Sequence, residues 1–171
     1  MNLETLCFSY LSFIKIHIES KNPDSTLIRS FVDRWFAYHQ KGNFLTKNLI
    51  ERKFNKPFAN KLSDAERDCL LKMHFVSKDA LHAILNKTNT QLIKDHSVPI
   101  KIIHKLLKKQ GNCSEIHIEE QLLNFYSLGV LTTKEDLKLN ALKFKSEMPN
   151  DWDGKDLFAR YKKANIQQAI F

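Results

Sequence analysis

The chain is poor in glycine and proline, with four of each among 171 residues. Folds built of many hairpins need such residues at their turns, so the scarcity argues for helices. Cysteine is scarce as well. Cys7, Cys69 and Cys113 are odd in number and show no C-x-x-C spacing. A disulfide framework and a cysteine-rich zinc site are therefore not expected, and the thiols read as reduced residues of a cytosolic protein. Long apolar runs are missing too. The most apolar stretch, Leu6 to Ile14, is interrupted by Lys15 and His17, well short of the ~20 residues that span a bilayer. No basic residue precedes it and no small-residue cleavage site follows, so it reads as a buried first helix and not as a targeting signal. No membrane partner is expected, and the expected location is the cytoplasm. The chain also lacks a P-loop, G-x-G-x-x-G, H-E-x-x-H and G-x-S-x-G, which removes the commonest nucleotide-binding, metalloprotease and hydrolase signatures.

What is present is an ordinary globular composition, 43% apolar and 27% charged, in a chain long enough to bury most of a core without staples. The charge is unbalanced: 27 basic residues against 19 acidic ones give +8. Residues 1–110 hold 19 Lys/Arg and 10 Asp/Glu, whereas 111–171 hold 8 and 9. A basic body with a near-neutral tail suggests an anionic partner, most often nucleic acid, against the plainer alternative of a lysine-rich solvated surface.

Helix signals punctuate most of the sequence. A first helix over 2–19 stops at Lys21-Asn22-Pro23, and Asp24 or Ser25 can cap a second over about 25–40. Residues 44–54 also look helical. Ser63 with Glu66, and Thr132 with Glu135, make S/T-x-x-E capping boxes that open helices over about 64–74 and 133–142. Ser77 caps a helix to about Leu85; Pro99 opens one to Gln110; Ser114 caps one to about Leu128, closed by Gly129; a last helix spans about 156–163. Gln91 to Lys94 and Val130-Leu131 read as short extended pieces. The expectation is an all-α fold, or nearly so: a bundle of about eight to nine short helices with at most one short strand pair. A boundary near residue 90 separates an N-terminal helical part, 1–90, from a C-terminal part, 91–171, within one globular unit.

Three constellations could carry function. In the helix after Pro99, Ile102, Ile103, Leu106 and Leu107 share one face, while Lys101, Lys105 and Lys108 line the other, with His104 and Lys109 at the edges. A row of ammonium groups matches phosphates along a nucleic-acid backbone. A second basic cluster, Lys47, Arg52, Lys53 and Lys56 with Phe54 and Phe58 interleaved, could add base stacking. Residues 63–85 weakly suggest a helix-turn-helix whose connecting Phe75-Val76 lacks the usual glycine. The third constellation is Asp95-His96-x-Val98-Pro99, where a carboxylate beside an imidazole can fix its tautomer and raise its basicity.

Asp95-His96-x-Val98-Pro99 resembles the first half of the His-Asn-His (ββα-metal) nuclease motif. There, Asp/Glu-His-x-x-Pro supplies a metal ligand and the general base. The match covers five residues; the Gly-rich turn and Asn-Leu of those enzymes do not follow. The resemblance implies a metal-dependent nuclease using His96 with Asp95, needing Mg²⁺ or Mn²⁺, with Asp136 and Asn140 as stand-in ligands. A longer pattern continues through Leu131-Thr132-Thr133-Lys134-Glu135-Asp136 and Leu139-Asn140. It then takes in Met148-Pro149, Trp152-Asp153-Gly154 and Ala159-Arg160-Tyr161. It resembles a bacterial protein family of unassigned function over about residues 92–166. That resemblance implies a bacterial cytosolic protein whose tail is one unit, and no activity.

In that tail Trp152 is expected to fold back into cover, with Arg160 paired to Asp151, Asp153 or Asp156. The leading expectation is a non-catalytic nucleic-acid-binding accessory or regulatory factor with no cofactor and no bound metal. The nuclease is the alternative, and a protein-interaction module is the second alternative.

Overall fold

A computed structural model describes residues 2–21, 23–39, 56–109, 111 and 114–170. The helix expected over 44–54, the basic residues Lys47, Arg52 and Lys53, and Cys113 lie outside the described residues. The chain divides into two units: Met1–Lys53 with Ile100–Tyr126, and Phe54–Pro99 with Ser127–Phe171. The boundary expected near residue 90 therefore falls inside the second unit. Residues 100–126, expected in the C-terminal part, belong with the N-terminal helices instead.

Among its described residues the first unit is helical. Helices α1 (Leu3–Glu19) and α2 (Ser25–His39) pack together, with α5 (Ile100–Lys109) and α6 (Glu115–Phe125) against them. Local signals set the ends. Asn2 accepts from Glu4 N at the start of α1. Asp24 Oδ1 accepts from Thr26 N and Leu27 N at 2.8 and 3.2 Å at the start of α2, and Ser114 caps α6. These bonds satisfy N–H groups that the first helical turn leaves without partners. The core holds Ile14, Ile28, Val32, Trp35, Phe36, Ile103, Leu107 and Leu122. Tyr126 closes it, its ring 4.4 Å from Phe36 and its hydroxyl donating to Asp33 at 2.7 Å. Cys7, half-buried on α1, has its thiol pushed up to about 11 by burial and by Glu119, which keeps it protonated and unreactive.

The second unit corrects the all-α expectation. It contains α3 (Asp64–Leu71), α4 (Lys78–Leu85), α7 (Thr133–Ala141) and the short α8 (Ala159–Lys163). It also carries three strands: β1 (Phe75–Val76), β2 (Leu92–His96) and β3 (Leu128–Thr132). Their order is β1-β3-β2, with β1 parallel and β2 antiparallel to the central β3. The protein is thus mostly helical with a small mixed sheet. Phe75-Val76, expected to be a helix-turn-helix connection, is a strand instead. Gly129, expected to end a helix, lies inside β3, all five of whose residues are buried. Central strands covered on both faces read as continuous apolar runs without alternation. Both capping boxes form as expected. The second does more than close a turn: buried Glu135 Oε2 accepts from Thr132 N at 2.8 Å and from the Ser77 hydroxyl at 2.7 Å. Since Ser77 also caps α4, one carboxylate ties two helix starts together across 58 residues of sequence.

In the first unit two histidines are buried, His17 on α1 and His104 on α5. His104 was expected at the edge of its helix. Burial, then Lys108, then His17 push its imidazole down to about 4. Burial and Lys108 lower His17 too, with Asp24 opposing. The unfolded chain takes up these protons more readily, so stability is intact above the ordinary value of ~6.5 and declines as pH falls toward 4. We predict that the urea midpoint drops across that window and that the drop is shallower in His104→Leu, measured by circular dichroism at stepped pH. Identical pH profiles for the two proteins would refute it.

Candidate functional site

Asp95 and His96 close β2, facing Gly129 and Leu128 of β3. Successive side chains of a strand project to opposite faces, so the two do not converge on one point. Asp95 reaches toward α8. Its Oδ2 accepts from the Tyr161 hydroxyl at 2.8 Å and from the Arg160 guanidinium, with which it forms an ion pair. Arg160 is only 1% exposed. Its Nε donates to Ser97 O at 2.8 Å, Nη1 to Phe144 O at 2.7 Å, and Nη2 to His96 O beside the carboxylate. The planar fork of arginine suits such an arrangement, in which one group addresses several acceptors at fixed angles.

Tyr161 is fully buried among Phe75, Leu131, Leu139, Ala164 and Ile166. Burial, and then the charge of Asp95, push its phenol well above 10, so it remains a donor to the carboxylate. The arrangement also explains Gly129. A Cβ placed there would lie 2.9 Å from the Tyr161 hydroxyl oxygen. Glycine is required at this position by close approach of a side chain across the sheet, not by backbone conformation.

The expected partners of Arg160 are therefore displaced. Asp151 pairs with Lys163 and Asp156 with Lys162, each at 2.8 Å. Asp153 Oδ1 accepts from Lys155 N and Asp156 N at 2.8 and 3.1 Å, and these bonds depress its carboxyl below the usual range. Trp152 folds back as expected to half-burial, its Nε1 donating to Asp156 O at 2.9 Å. Beside it opens a shallow cleft of about 460 Å³ lined by Pro149, Trp152, Ala159 and the paired Asp and Lys side chains.

His96 is 7% exposed. Asp136, on α7, has Lys145 Nζ at 3.8 Å, and Asn140, further along the same helix, is exposed. Among the described residues no group of three or more His, Cys, Asp or Glu side chains is placed to hold a metal ion. The divalent ion implied by the nuclease resemblance does not fit here, because the carboxylate that would hold it already neutralises Arg160.

The basic helix α5 is two-faced. Ile100, Ile103, His104 and Leu107 are buried, Ile102 and Leu106 half-buried, and Lys101, Lys105 and Lys109 exposed. Lys108 differs from its neighbours: it is half-buried, and its Nζ donates to Lys21 O at 3.4 Å. Lys56 is exposed at a left-handed φ of 56°. Phe58 is half-buried, bridged to Gln91 and covered by Lys61 at 5.5 Å. No helix among the described residues is long and apolar enough to cross a membrane. Comparison with family models, curated proteins and solved structures gives no match.

Arg160→Lys should destabilise the protein nearly as much as Arg160→Met, because one ammonium cannot address four acceptors. Breaking the buried pair costs roughly 3–5 kcal/mol. Urea unfolding of the two variants measures this. A lysine variant within about 1 kcal/mol of wild type would show that charge alone, not the fork, holds α8.

Proposed function

We propose that this chain is a nucleic-acid-binding accessory or regulatory factor without catalysis, working in a bacterial cytosol. The observation that carries the reading is α5, a rigid helix with Lys101, Lys105 and Lys109 exposed and an apolar opposite face buried. The net charge of +8 adds long-range attraction for a polyanion. Lysines along one helix face neutralise phosphates and release counterions, which yields affinity with little dependence on sequence.

One observation favours a nuclease as the second reading. β2 and β3 pair antiparallel with Asp95-His96 at the end of β2, and β3 leads directly into α7, although α5 and α6 separate the two strands along the chain. Capture of Asp95 by Arg160 and Tyr161 weighs against it, since a ligand for a catalytic ion has to be available to that ion.

The two readings separate when purified protein meets plasmid, single-stranded DNA and RNA with and without Mg²⁺ or Mn²⁺. The binder predicts shifted, intact nucleic acid under all conditions. Cleavage that depends on the divalent ion and is lost in His96→Ala would establish the nuclease instead. For the binder, replacing Lys101, Lys105 and Lys109 by alanine should flatten the slope of log K against log salt by up to about 3 units. An unchanged slope in the triple variant would remove α5 from the interface.

A further inference from the structure

We propose that His17 of α1 and His104 of α5 form a binding site for a zinc-type divalent cation within the first unit. Both side chains are more than nine-tenths buried, at 4% and 6% exposure. Each has an Nε2 with no hydrogen-bond partner. A buried imidazole nitrogen left unpaired costs about 1–3 kcal/mol, and two in contact are a conspicuous departure from the rule that buried polar atoms are satisfied.

The geometry suits a shared ion. A ring nitrogen lies about 1.1 Å from its ring centre, and zinc binds imidazole at about 2.0–2.1 Å. Two rings on one tetrahedral ion therefore have centres roughly 5 Å apart. The rings of His17 and His104 are 5.2 Å apart and inclined at 48°. Imidazole is the neutral ligand that zinc, copper and nickel favour, whereas magnesium and calcium require oxygen.

The surroundings keep the ligands ready and weaken the site at the same time. Burial and the ammonium of Lys108 hold both imidazoles unprotonated at neutral pH, so their lone pairs are available. That ammonium also repels a cation. The facing charges are Lys108, one turn along α5 from His104, and Asp24 at the start of α2, whose negative charge acts on His17. Two protein nitrogens make an open site, with water as the further donors. The inference is independent of nucleic-acid binding.

Titration calorimetry of the full chain with zinc chloride, and the visible band of cobalt(II), test it. One ion per chain is expected in wild type. Affinity should fall at least about tenfold in His17→Ala and in His104→Ala, and remain in His117→Ala, whose imidazole is partly exposed on α6. Because alanine at a buried position can unfold the unit, Lys108→Met supplies a variant with both ligands intact. It should bind zinc about three- to tenfold more tightly, since the repelling charge is gone. Absence of stoichiometric binding in wild type would overturn the proposal. So would binding undiminished in folded His17→Ala and His104→Ala, or affinity not raised by Lys108→Met.

Discussion

The second unit depends on one buried cation. Arg160 is removed from water almost entirely, and an isolated guanidinium could not be held there. It is tolerated because Asp95 supplies a counter-charge and the carbonyls of His96, Ser97 and Phe144 take its remaining donors. The four acceptors come from three places in the chain's path: the end of β2, the turn after it, and the segment after α7. The guanidinium therefore fixes not one contact but the mutual placement of a strand, a turn and a helix. Gly129 and Tyr161 follow from it. Once α8 is drawn down to Asp95, the phenol occupies the space over β3 where a side chain would otherwise project.

The same arrangement gives the Asp-His-x-Val-Pro segment a structural meaning. The strand hands its Asp to the α8 side and its His to the other. The carbonyls of His96, the last paired residue of the strand, and of Ser97 just beyond it are then satisfied by Arg160. Ser97 N donates to Ser127 O at 2.8 Å and the two hydroxyls lie 3.4 Å apart. Ser97 and Ser127 stand on either side of the point where the chain leaves the second unit at Pro99 and returns after Tyr126. The segment that resembles a catalytic motif thus ends where, along the sequence, residues 100–126 interrupt the second unit.

How much of this was legible in the sequence follows from the range of each interaction. Signals that act within one helical turn were readable: the Ser63–Glu66 and Thr132–Glu135 boxes, the Ser77 and Ser114 caps, the two faces of α5 and the Gly111 turn after it. The strands were legible only in part: Gln91 to Lys94 and Val130-Leu131 read as extended pieces overlapping β2 and β3, but β1 and the sheet order did not show. Two residues, Phe75-Val76, carry no periodicity, and Leu-Gly-Val-Leu-Thr is too short and uniformly apolar to be told from a helix end. The ion pair was missed for the same reason. Arg160 was matched to the nearest carboxylates in sequence, Asp151, Asp153 and Asp156, whereas its partner is 65 residues away. Two clues did exist, an Asp-His segment and an Ala-Arg-Tyr segment of matching unusual character, but nothing local says that they touch.

The division between units also bears on how charge and chemistry are distributed. The exposed lysines of α5 and the unpaired His17–His104 contact belong to the helical unit, whereas Asp95, His96 and Arg160 belong to the sheet unit. In the sheet unit the titratable groups around α8 are largely consumed by one another: Asp95 by Arg160 and Tyr161, Asp151 by Lys163, Asp156 by Lys162, Glu135 by two helix caps. A site whose charges are already matched has little left for polarising a substrate. The helical unit has the opposite character. Its helix α5 turns Lys101, Lys105 and Lys109 to solvent, and its core retains the Nε2 atoms of His17 and His104 without hydrogen-bond partners.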